Sequence, residues 1–199
     1  MIGEVTVREL SREEMAQTVM ALAMRNERTI LIIDGYPGSG KTTLSMALGR
    51  IPSVAFVPVD GYRQGASFDF RRLTKEVIKP FTKRGRVKEL RPVNPLARGG
   101  TLEPSGPNRE GIRVLILEGM EMSMAAKAIG AHYVCWVDCE RQTRIDRLNS
   151  RDTPGSRFVE LQDWIERAEQ TGLREQALTF AQFVVDTTHS QFGFFRTSD

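Results

Sequence analysis

Residues 29–48, TILIIDGYPGSGKTTLSMAL, constrain this chain more than any other stretch. The first six are rich in apolar and β-branched residues and read as a buried strand, whereas Lys41 to Leu48 has the spacing of an amphipathic helix. Between them Gly35, Gly38 and Gly40 leave a loop almost without side chains. A strand feeding a helix through a tight loop is half of a β-α-β unit. Four more strand-length runs follow: VAFVPVD (54–60), VLILEG (114–119), YVCWVDC (133–139) and FVVDTT (183–188). Their near-continuous hydrophobicity is that of strands covered on both faces. Helical patterns lie between them, so the expected architecture is α/β, a doubly wound five-stranded parallel sheet with flanking helices. Ligands of such a fold sit beyond the carboxyl ends of the strands.

A helix over Ser11–Asn26 opens with the capping-box spacing Ser11/Glu14. Its Met15, Val19, Leu22 and Met24 serve equally to pack on the sheet or against a second subunit, as in a homodimer. Residues 1–28 are thus expected to be an N-terminal helix on the core, and 29–199 the main domain. Phe70, Leu73, Val77 and Ile78 form one stripe of a helix that Pro80 is expected to end. The stretch 92–112, rich in Pro, Gly and Asn, reads as a long loop or short hairpin.

With 40% apolar and 27% charged residues the chain is globular rather than disordered. The net charge of +3 conceals a basic run between Arg71 and Arg91, which contains nine cations against Glu76 and Glu89. It is either a solvated helix face or a site for an anionic acceptor or nucleic acid. Cys135 and Cys139 lack any metal-ligand spacing and read as small core residues. Acids at Glu4, Glu9, Glu13 and Glu14 interrupt what would be a signal-peptide core, and no apolar run is long enough to span a bilayer. A cytoplasmic protein without membrane contact is expected.

Gly35, four residues, then Gly40-Lys41-Thr42 fits G-x-x-x-x-G-K-[ST] completely. Backbone N–H groups and the following helix's N-terminal dipole suit such a loop to a polyphosphate. Lys41 is placed to bridge the outer phosphates, and the Thr42 hydroxyl to coordinate Mg²⁺. The candidate ATP-binding stretch is therefore Gly35, Tyr36, Pro37, Gly38, Ser39, Gly40, Lys41, Thr42 and Thr43, the last packing or capping. A GTPase would carry N-K-x-D, which is absent here. An ATPase motor would end its third strand in Asp-Glu, whereas here Glu118 precedes a glycine. A kinase needs an acid to take the proton of an acceptor hydroxyl. Asp60, at the end of the second strand, stands on the right edge.

The motifs GYPGSGKTTL, VPVDGYRQ, FDFRRL, VLILEGM and TRIDRLNSRD resemble, in kind and order, the uridine kinase and phosphoribulokinase group of P-loop kinases, from about Thr29 to Thr188. The resemblance implies that Asp60 is the catalytic base and that Glu118 lies near Mg²⁺. It also implies an arginine-bearing helix leading into a lid at about 151–160, with Arg144, Arg147, Arg151 and Arg157 closing on the phosphates. Independently of it, Arg141, Arg144, Arg147 and Arg151 recur at three- and four-residue intervals on one helical face. Tyr62, Arg63 and Arg91 are candidate acceptor contacts. Uridine kinases carry a Tyr-Asp pair where this chain has Val93 and Asn94, which argues against uridine or cytidine as acceptor. The expected function is transfer from ATP, with Mg²⁺, to a hydroxyl of a small metabolite that can be anionic. The alternative is an ATPase or polynucleotide kinase acting on nucleic acid, disfavoured by the lack of aromatic platforms among the basic residues.

Overall fold

The computed structural model describes residues 7–64, 67–88, 91–92, 102–103, 108–150, 166 and 169–189. Its central sheet contains β1 (Arg8–Leu10), β2 (Thr29–Asp34), β3 (Val54–Pro58), β4 (Val114–Glu118), β5 (Tyr133–Asp138) and β6 (Phe183–Asp186). All are parallel, in the order β1-β6-β5-β2-β4-β3. Five coincide with the apolar runs, and the sixth corrects the expected count. Residues 8–10 carry no strand signal, since two of the three are exposed. They form a strand because the edge of β6 supplies partners, with Arg8 opposite Phe183 and Leu10 opposite Val185.

Every residue of β2 and β4 is buried, because the sheet is covered twice. On one face Leu31, Ile33 and Val114 meet Met15, Val19 and Leu22 of α1 (Arg12–Ala23) and Leu44 and Leu48 of α2 (Lys41–Leu48). The capping box of α1 forms as its spacing predicts: Glu14 N–H donates to Ser11 Oγ at 3.1 Å, and Ser11 N–H to the Glu14 carboxylate at 2.7 Å. Met24, expected on the apolar stripe, is instead 85% exposed and lies outside it.

On the other face Ile30, Ile32 and Trp136 meet a longer helical run. It comprises α3 (Phe70–Leu73), a π-helical segment (Thr74–Ile78) and α4 (Lys79–Arg84). The same side holds α5 (Ala126–Ile129) and α7 (Leu173–Leu178), while α6 (Arg141–Asn149) follows β5. Pro80 does not end the helix as expected. The π turn restarts the hydrogen bonding, with Lys79 N–H donating to Thr74 O, so Pro80 falls at the start of α4, where its missing N–H costs little. Phe70 also leaves the stripe: it is exposed, with its ring 5.6 Å from that of Phe68. Two antiparallel rungs, Val87–Lys88 with Asn108–Arg109 and Arg91–Pro92 with Leu102–Glu103, give the 92–112 stretch hairpin pairing. Among the described residues no helix is long and apolar enough to cross a membrane.

Candidate phosphate-binding site

The glycine loop leaves β2 in the middle of the sheet, between β4 and β5, where strand order reverses. Gly40 caps α2 in the left-handed region at φ 88°, and no side chain caps the helix, so its first N–H groups remain for an anion. Residues 35–40 are themselves buried, and their surroundings hold the loop's shape. Gly38, at φ 77°, lies against α6: a Cβ there would stand 2.6 Å from the Arg144 carbonyl oxygen.

The carbonyl side of the loop is pinned from below. Thr187, just past β6, donates its hydroxyl to Ser39 O at 2.5 Å. Arg147 donates to Thr187 O at 2.6 Å and more weakly to Gly38 O at 3.4 Å. With its carbonyls tied back, the loop can present N–H groups outward. Arg147, expected on the phosphates, here braces the glycine loop from below.

Arg144 departs further from expectation. It is buried rather than part of a mobile clamp, lies 4.6 Å over the Tyr36 ring, donates to Cys139 O at 3.2 Å and pairs with Glu169. Tyr36 in turn meets Trp136 edge-on at 5.2 Å. Burial alone would push Glu169 up, but hydrogen bonds from Arg144 and Arg141 outweigh it and hold its carboxyl below the ordinary value. Spacing places these arginines on one face correctly and does not say what that face meets.

At the helix mouth Thr42 Oγ1 donates to Glu118 Oε1 at 3.1 Å, and Lys41 Nζ stands 4.0 Å from the same oxygen. Lys41 also reaches Tyr36 O at 3.4 Å. Burial pushes the Glu118 carboxyl up; Lys41 opposes this, and the nearby Asp60 charge adds to it. Asp60 lies at the end of β3 in the turn Val59–Tyr62 and is exposed. It sits beside Gly119, where a Cβ would stand 3.7 Å from the Asp60 carboxylate. Thus Lys41, Thr42, Glu118 and Asp60 converge at the carboxyl edge of three adjacent strands.

The other expected residues lie elsewhere or outside the described residues. Tyr62, an expected acceptor contact, is buried in the core, its hydroxyl 3.3 Å from Glu76 and Arg72 over its ring, and these contacts anchor the turn. Thr43 is exposed rather than packed. Pro37 is buried within the loop. Arg151, Arg157, Val93, Asn94 and the lid at 151–160 lie outside the described residues, as do the side chains of Arg63 and Arg91. A cleft of about 530 Å³, with no loop residue in its lining, lies between β1, β5, β6 and α7, where Arg174 pairs with Asp138 at 2.6 Å.

Two contributors escape a reading of the sequence. Asp34 is fully buried at the end of β2, and its one visible signal is an acid closing an otherwise apolar strand. Thr187 has no local signal, since its partner is far away in the chain.

No protein-family model matches the sequence, and no curated protein matches it. Solved structures do match. A candidate fructose transport system kinase from Silicibacter sp. TM1040 superposes with a TM-score of 0.57 at 18% identity, over 88% of this chain and 98% of the other. A candidate uridine kinase from Bacillus stearothermophilus superposes with a TM-score of 0.52 at 18% identity, over 88% of this chain and 97% of the other. With its parallel sheet, glycine loop and flanking helices, the chain has the fold of the P-loop kinases.

Proposed function

We propose that the chain is an ATP- and Mg²⁺-dependent kinase that phosphorylates a hydroxyl of a small metabolite in the cytoplasm. The observation that carries this is the convergence of Lys41, Thr42 and Glu118 at the opening of α2, with Asp60 alongside. The segment from Gly35 to Thr43 would bind the triphosphate, with Lys41 on its outer oxygens. Among the described residues no three His, Cys, Asp or Glu side chains group as a metal site. Two hard oxygen donors, the Thr42 hydroxyl and the Glu118 carboxylate, suit Mg²⁺, which keeps waters and phosphate oxygens as its remaining ligands. When bound, Mg²⁺ supplies charge neutralisation at the β- and γ-phosphates.

The acceptor's O–H proton passes to the Asp60 carboxylate as its oxygen forms a bond to the γ-phosphorus. The bond from that phosphorus to the β-phosphate oxygen breaks, and ADP leaves with the electron pair. Arg147, by bracing Gly38 and Thr187, keeps the cradle in place; Arg151 and Arg157 are proposed to add positive charge as transfer proceeds. Arg63 and Arg91 are proposed acceptor contacts, and with the exposed basic helix they favour an acceptor that already carries phosphate or carboxylate.

The test is a thermal-shift screen of nucleosides, sugar phosphates and short oligonucleotides with a non-hydrolysable ATP analogue, followed by turnover of each hit. A stabilising small-molecule hit should be phosphorylated, and Asp60→Asn should lower that turnover about 10²–10⁴-fold with nearly unchanged analogue affinity. Stabilisation by oligonucleotides alone, with nucleic-acid-stimulated ATP hydrolysis, would replace this assignment by the ATPase alternative.

A further inference from the structure

We infer that Asp34 is a positioning residue whose buried carboxylate holds the start of the phosphate loop in register with the turn that follows Glu118. The inference rests on the kinase assignment for the identity of the ligand. Asp34 Oδ1 accepts from Gly35 N–H at 2.7 Å and from Glu121 N–H at 3.0 Å, and Oδ2 accepts from Ser123 N–H at 2.8 Å. Its side chain is fully buried and is hydrogen-bonded to the backbone of both the loop and the turn, so it acts on the site through the backbone it binds.

The turn it holds is one that would not keep its shape unaided. Glu121 sits at φ 68°, a left-handed conformation that is unfavourable for a residue bearing a side chain. Glu121 also precedes the short 3₁₀ turn Met122–Ala125, which has no side-chain cap of its own from Glu121. Asp34 supplies that cap from another strand. The turn is confined on its other side as well. Gly119 N–H donates to Ile33 O at 3.2 Å, and a Cβ at Gly119 would come within 2.4 Å of Val59. The segment 118–123 is therefore wedged between the end of β3, which carries Asp60, and the end of β2, which begins the loop. One carboxylate thereby sets the separation between the triphosphate cradle and the acid proposed to face Mg²⁺. An asparagine keeps the shape and can satisfy Gly35 and Glu121 with its carbonyl oxygen. Its amide nitrogen, however, turns a donor toward the Ser123 N–H, and the turn is expected to shift.

The experiment measures binding of a fluorescent non-hydrolysable ATP analogue by wild type, Asp34→Asn and Lys41→Ala as Mg²⁺ is titrated. In Asp34→Asn the half-saturating Mg²⁺ concentration should rise about 10–100-fold, as when a support of a metal ligand is lost. Affinity for the analogue without metal should change less than about threefold. In parallel, amide hydrogen exchange of wild type should show Gly35, Glu121 and Ser123 gaining protection together when analogue and Mg²⁺ bind. A lowered melting temperature with unchanged Mg²⁺ dependence would make Asp34 a structural cap only and overturn the inference. So would unaltered exchange at Glu121 and Ser123 in the wild type, a readout that decides the matter even if the variant does not fold. If wild type binds no analogue, or Lys41→Ala binds as well as wild type, the kinase assignment itself fails and the inference goes with it.

Discussion

Glu118 has conflicting demands placed on it. Burial raises its carboxyl above the usual value, while Lys41 and Thr42 support the charged form. A carboxyl whose pKa is higher in the folded state binds protons more readily there than in the unfolded chain. Its contribution to stability is therefore fully present below the ordinary value of 4.5 and is lost as pH rises through the folded value. Glu118→Gln should remove that loss, raising the melting temperature of the ligand-free protein at neutral pH by about 2–4 °C per kcal/mol of relief and changing little near pH 4. The same variant should bind the ATP analogue with a weakened Mg²⁺ dependence. Melting curves across pH, with and without metal, check both; equal shifts at all pH values would mean that the buried charge is already fully compensated. At this scale the glycine loop was legible because its pattern is local. Asp34 and Thr187 were not, because their partners are distant in sequence.

The glycine loop and α6 form one packed unit. Gly38 leaves no room for a side chain against the Arg144 carbonyl, and Arg144 itself is locked between Tyr36, Cys139 and Glu169. Gly38→Ala must therefore distort the loop or push α6 away, and its left-handed backbone adds about 1–2 kcal/mol of strain. The expected result is a melting temperature lower by about 2–8 °C and analogue affinity reduced more than tenfold. Retained affinity at wild-type stability would show that the loop adapts without its helix. The sequence periodicity identified α6 and its cationic face, yet the burial of Arg144 depends on an acid 25 residues later. The helix over 70–84 shows a similar gap. Its apolar stripe was legible, but the π turn that accommodates Pro80 follows from packing against the sheet rather than from propensity.

Across the molecule, two apolar layers enclose the sheet, and the alternation of Ile30 and Ile32 with Leu31 and Ile33 divides β2 between them. Each such fully buried side chain contributes roughly 1.5–3 kcal/mol. Strand-length apolar runs revealed five strands of the sheet; the sixth, β1, was hidden because two of its three residues are exposed and only pairing with β6 defines it. Cys135 lies in the middle of this sheet, fully buried, its thiol pushed up to about 12 by burial. Thiol reagents should therefore label Cys135 only when the sheet opens, and the ATP analogue should slow labelling as it stabilises the folded state. Fast labelling unaffected by the analogue, assigned to Cys135 rather than Cys139 by fragment-ion mass spectrometry of the tryptic peptide that carries both, would show that the central strands open locally. Thr187 has a separate implication, because its hydroxyl reaches Ser39 across 148 positions of chain. During translation the glycines emerge long before their last tether, so a nascent chain halted short of Thr187 should bind the ATP analogue poorly, and binding should appear only once Thr187 has emerged and folded back.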